Sequence, residues 1–134
     1  MAIKRLTKTD PAQSFGVFNP VGHLVLAFPD DATAEAARED LLDHGFEHED
    51  VLLYSAQEER ETMTRMLDHI GTAAHFGHEV TLMRLYKAMA EKGSGWLMVY
   101  APDEAHCQRA LDVAKRHGVL LAEKYHRLVI EDLI

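Results

Sequence analysis

Residues 22–45, GHLVLAFPDDATAEAAREDLLDHG, are echoed without a gap 73 positions later by residues 95–118, GWLMVYAPDEAHCQRALDVAKRHG. Gly22/Gly95, Leu24/Leu97, Pro29/Pro102, Asp30/Asp103, Ala32/Ala105, Ala37/Ala110, His44/His117 and Gly45/Gly118 fall in register. Such a pattern argues for a duplicated unit, and the physics of one copy predicts the other. In each, an apolar run too short for a helix (residues 24–28 and 96–101) ends at a proline and reads as a strand covered on both faces. Pro29 and Pro102 cannot continue a ladder, and the carboxylates after them suit the exposed N–H groups of a helix start. Ala34, Ala37 and Leu41, and in the second copy Cys107, Ala110, Leu111 and Ala114, then recur at helical spacing as one narrow apolar stripe. Gly45 and Gly118 stand where a left-handed stop residue is wanted, with Phe46 and Val119 folding back on Leu41 and Ala114.

The rest of the chain fits around these two units. Residues 1–21 have mixed charge and two loop-forming dipeptides, Asp10-Pro11 and Asn19-Pro20, and read as an arm; Phe15, Val17, Phe18 and Val21 alternate within it as a short added strand or as a patch that docks on the core or on a second subunit. Residues 50–55 make a second short strand, and residues 120–133 one longer strand with a wet portion, suited to a sheet edge. Residues 56–93 have no counterpart in the duplication. Ser55 and Glu58 have capping-box spacing, and a helical stripe runs through Met63, Met66, Leu67 and Ile70 and resumes at Val80, Met83, Tyr86 and Met89. Gly71 and Gly77 place a break near residues 75–78, giving a long helix or a helical hairpin.

The expected fold class is therefore α+β, a ferredoxin-like β-α-β-β-α-β sandwich with a long helical insert between its second and third strands. It is one domain: arm 1–21, first βαβ unit 22–55, insert 56–93, second βαβ unit 94–134. In that order the first and third strands are central and the second and fourth are edges. Two helices cover one sheet face, and the other, apolar too, needs a cover of its own. The insert supplies it, or else a second copy does, with Met63, Met66, Met83, Tyr86 and Met89 as core or as interface; a homodimer is expected on this ground.

Composition narrows the partners. Fourteen basic residues against twenty-two acidic ones leave a net charge of −8, the wrong sign for affinity built on neutralising phosphates, so nucleic acid is disfavoured. The single cysteine, Cys107, lies on a buried helix stripe and reads as a core thiol. No run approaches the roughly 18 apolar residues of a membrane span and no signal-like segment opens the chain, so no membrane and a cytoplasmic location are expected.

Residues 36–55, AAREDLLDHGFEHEDVLLYS, after the strand LVLAF, resemble the opening unit of small bacterial general stress protein and heat-induced stress protein domains. The matching positions are Gly45, Phe46, Glu49, Asp50 and Val51, about a third of the chain lies in the resemblance, and the histidine-bearing insert departs from it. The resemblance implies a ferredoxin-like module and no catalytic residues.

Three sets of residues carry candidate chemistry. His75 and His78, three apart beside Glu79, would share a helix face and ligate a divalent metal or a haem iron, although neither HExxH nor a cysteine partner accompanies them. His23, Tyr100, Tyr125, His126 and Arg127 lie on or beside neighbouring strands and would form a polar ligand pocket if they share the open face. Glu58, Glu59 and Glu61 beside Arg60 and Arg65 read as a solvated first helical turn. The leading expectation is a non-enzymatic stress or regulatory module, without a cofactor, that binds a partner or a small ligand. The alternatives are a histidine-dependent metal or haem protein and a small dimeric cofactor-free enzyme of ferredoxin-like build.

Overall fold

The computed structural model describes residues 4–8, 13–14, 17–70, 77–127 and 129–134. A short hairpin of β1 (Gln13–Ser14) and β2 (Val17–Phe18) precedes β3 (His23–Phe28), α1 (Asp31–Leu42), β4 (Val51–Tyr54), α2 (Ala56–Asp68), α3 (His78–Glu91), β5 (Gly95–Tyr100), α4 (Glu104–Arg116), β6 (Leu121–Tyr125) and β7 (Ile130–Asp132). Strands β3 to β7 form one antiparallel sheet in the order β4-β5-β3-β6-β7. The described chain is thus α+β, with a five-stranded antiparallel sheet and four helices. The two wholly apolar runs are nearest neighbours, Leu24 opposite Val99 and Leu26 opposite Leu97.

Each repeated sequence signal produces the same local structure twice. Asp30 and Asp103 cap α1 and α4, their carboxylates accepting from the amides of Thr33 and His106. Both helices stop in a left-handed glycine, Gly45 at φ 94° and Gly118 at φ 68°, after which Phe46 N donates to Leu41 O and Val119 N to Ala114 O. Those are the hydrogen bonds of a Schellman stop, and Phe46 is buried against the core.

The sheet separates two apolar cores. Leu24, Leu26, Phe28, Leu97 and Val99 face α1 and α4, while Val25, Ala27, Trp96 and Met98 face α2 and α3. The insert therefore folds as two helices over its own sheet, and Met63, Met66, Met83 and Tyr86 are buried there, with Met89 partly so. Ser55 caps α2 in a full capping box with Glu58. The helical break falls between Asp68 and His78; Gly71 and His75 lie outside the described residues. From the arm, Phe18 is buried in the insert-side core, edge-on to Tyr125 at 5.5 Å and Tyr86 at 6.2 Å. Phe15 lies outside the described residues.

Two expectations need correction. Residues 120–133 are not one strand: β6 turns at His126 and Arg127 and returns as β7, with Tyr125 opposite Ile130 and Lys124 opposite Glu131. The first part of that stretch is consequently not an edge, and Glu123 and Lys124 in it are not wet; all five residues of β6 are buried, whereas His126 and Arg127 in the turn are exposed. Glu59, read as part of a solvated turn, is 6 % exposed, because it shares the inward stripe of α2 with Met63 and Met66. Among the described residues no helix is long and apolar enough to cross a membrane.

Candidate ligand cleft

The five residues expected to form a polar pocket divide into two places. His23 and Tyr100 pair in register and their rings lie 5.3 Å apart, but His23 is buried and its ring nitrogens are engaged, Nδ1 with Val21 O at 3.0 Å and Nε2 with the Leu6 amide at 3.2 Å. Burial lowers its pKa, so the ring is held neutral there. Tyr125, His126 and Arg127 instead border a cleft of about 300 Å³ between the start of α4, the Val21-Gly22 turn and the β6–β7 hairpin.

Two residues that sequence reasoning did not assign to a site lie in this cleft, Cys107 and Lys124. Lys124 is on the face of β6 that meets α4, since it stands opposite Leu24, and it is only 7 % exposed. Its Nζ donates to Ala101 O, and Cys107 Sγ lies 3.7 Å from the same carbonyl. Among the described residues no carboxylate forms an ion pair with this ammonium. Its cross-strand neighbour Glu131 turns instead to His126, 3.1 Å from Nε2. At the opposite wall Asp103 is occupied by its capping bond and by the His106 ring, 2.7 Å away. Pairing strand residues by face would have placed Lys124 beside Leu24; the alternation in residues 122–127 suggested solvent only because β7 was not recognised.

Burial pushes the Cys107 thiol up, while the ammonium of Lys124 pulls it the other way. The pH midpoint of Cys107 alkylation by iodoacetamide is therefore expected to lie above the value of about 8.5 for an unfolded cysteine, and to rise again in Lys124→Met. A midpoint below that of an unfolded cysteine would contradict this placement of the thiol.

A second polar cluster lies inside the insert-side core. The hydroxyls of Tyr86 and Tyr125, both fully buried, share a hydrogen bond of 2.8 Å, and Tyr86 packs on Trp96 at 5.2 Å. Trp96 Nε1 has no hydrogen-bond partner among the described residues. Burial, with Glu58 adding to it, pushes Glu59 up to about 7, and its charge in turn raises the phenols of Tyr54, Tyr86 and Tyr125, after burial of each ring. Glu123, on the same sheet face and opposite Asp132, is also pushed up to about 7, by burial first. This cluster is enclosed, whereas the cleft opens to solvent past the exposed His126 and Arg127, so the cleft is the candidate site.

The histidine candidates of the insert fall only partly among the described residues. His78 and Glu79 lie in the first turn of α3, His75 lies outside the described residues, and no group of three or more His, Cys, Asp or Glu side chains among the described residues could hold a metal ion. The repeated His44 and His117 meet at Asp40 instead, at 3.0 and 2.8 Å, with Arg116 at 3.2 Å, so the ends of α1 and α4 are tied together. The His117 hydrogen bond, chiefly, holds the Asp40 carboxyl below its usual range. Compared with models of protein families, with curated proteins and with solved structures, the chain matches none, so the cleft has to be read from its own chemistry.

Proposed function

We propose that this chain is a non-enzymatic module of regulatory type that acts by holding a small molecule in the cleft between α4 and the β6–β7 hairpin. The observation that carries this reading is Lys124, a buried ammonium that meets Ala101 O and Cys107 but, among the described residues, no carboxylate, at the wall of a cleft open to solvent. An ammonium kept from water without a counter-charge is costly, and binding of a complementary group offsets that cost. Binding is preferred to catalysis because no histidine ring reaches Cys107 as a base among the described residues, and because burial keeps the thiol protonated. The scaffold we propose is ferredoxin-like, with the insert on its second face and β7 added beyond the fourth strand. The order β4-β5-β3-β6 supports this, because it runs second, third, first, fourth in the β-α-β-β-α-β series. A shared origin of the two halves is supported by the matching caps and stops of α1 and α4.

This reading needs no second copy. The homodimer expected from the sequence rested on an uncovered sheet face, and α2 and α3 occupy that face.

The test is a panel of small carboxylates, phosphates, amines and neutral polar compounds, scored by thermal midpoint and by protection of Cys107 from alkylation. One class is expected to raise the midpoint, slow the alkylation and be recovered chemically unchanged. Conversion of a bound compound, abolished in Cys107→Ser, would replace binding by catalysis. A panel in which nothing protects Cys107 would remove the cleft as the site.

A further inference from the structure

We infer that the ligand of the cleft is a small monocarboxylate whose carboxylate pairs with the Lys124 ammonium. This rests on the reading of the cleft as a binding site and adds the chemical class. Lys124 donates to Ala101 O and also hydrogen-bonds the Cys107 side chain, which leaves a third N–H donor and the positive charge for a ligand, and a carboxylate accepts that donor while matching the charge. The charged groups around it set the limit on ligand charge. Asp103 and Glu131 are each held by a histidine ring, Glu104 stands in the exposed first turn of α4, and Arg127, which also lines the cleft, is exposed. Three carboxylates at the walls repel a second negative charge, so polyphosphates and other polyanions are disfavoured there. The remaining walls, among them Val21, Pro102 and Leu133, suit a short apolar tail. At about 300 Å³ the cleft is at the small end of ligand sites, which fits a carboxylate with a few carbons rather than a cofactor.

Butyrate, its neutral isostere butyramide and inorganic phosphate, each added at matched low ionic strength, separate the alternatives. The readouts are Cys107 alkylation and the amide resonances of Gly22, Cys107 and Lys124. Butyrate is expected to protect Cys107 saturably and at least ten times more tightly than butyramide or phosphate. Lys124→Met should lose that preference, and Lys124→Arg, which keeps the charge, should retain most of it; the amide spectrum shows that each variant is folded. Equal or tighter binding of butyramide or phosphate at these resonances would overturn the carboxylate assignment while leaving the cleft a binding site. Undiminished butyrate binding in the folded Lys124→Met protein would overturn it too. Should none of the three perturb the cleft, the class fails, and the binding reading fails with it only if the wider panel also leaves Cys107 unprotected.

Discussion

Replacing Gly95 by alanine is expected to destabilise the protein by about 3 kcal/mol or more, although the change adds one methyl group. Gly95 opens β5 opposite Phe28, under the first turn of α1. A Cβ built there meets Asp30 O at 2.6 Å, Asp31 Cα at 2.8 Å and Ala34 Cβ at 2.9 Å. Two of those three atoms are backbone, so no rotamer change relieves the overlap. Asp30 O also accepts from the Ala34 amide at the start of α1, so pushing it away strains the helix cap together with the strand. With an m-value of about 1.5 kcal/mol/M, ordinary for a small domain, the urea midpoint should fall by about 2 M. Gly118→Ala is the control: its φ of 68° strains an alanine by about 1–2 kcal/mol, but among the described residues nothing lies within 4 Å of the added methyl. A Gly95→Ala protein no less stable than Gly118→Ala would show that α1 does not lie this close to β5.

The close approach at Gly95 was visible in the sequence only as a repeated glycine, and this is typical of what could be read and what could not. Caps, stops and the strand–helix–strand units depend on residues near one another in the chain, so Asp30, Asp103, Gly45 and Gly118 announce them. The central place of β3 and β5 in the sheet follows from their apolar character, because such runs need cover on both sides. What the sequence concealed depends on residues distant in the chain. The polar alternation of residues 122–127 reads as a wet edge until the short β7 is seen to pair with it. Lys124 then becomes a buried charge beside Cys107, on a strand face that local pattern had no means of distinguishing. His23 was assigned to an open pocket, and it is the arm that closes over it, through the Leu6 amide. Glu59 is the one miss with a local signal, since its spacing to Met63 and Met66 is that of the inward stripe; its acidic neighbours masked it.

Glu59→Met is expected to stabilise the protein at pH 8 by about 3 kcal/mol and to remove much of the loss of stability that the native chain shows between pH 4.5 and 7. The residue is 6 % exposed, no hydrogen bond reaches its carboxyl among the described residues, and burial first, then the neighbouring charge of Glu58, raises it from 4.5 to about 7. Below pH 4.5 the group is protonated in both the folded and the unfolded chain and adds no pH dependence. From 4.5 to 7 the unfolded chain releases the proton while the folded chain keeps it, so stability falls as pH rises. Above about 7 the group is ionised in both states and the whole loss remains, about 2.5 pH units at 1.36 kcal/mol each, or roughly 3 kcal/mol. Methionine has a similar volume and continues the stripe of Met63 and Met66, so the substitution exchanges a desolvated carboxylate for apolar contact. Glu123, raised in the same direction, leaves part of the fall in both proteins, so the decisive quantity is the difference between their urea midpoints at pH 4.5 and at pH 8. Parallel pH profiles for the two proteins would place Glu59 in water. A gap that widens by about 2 M between those pH values, at an m-value of about 1.5 kcal/mol/M, would place it under the insert, where an ionised carboxylate opposes the packing of α2 on the sheet.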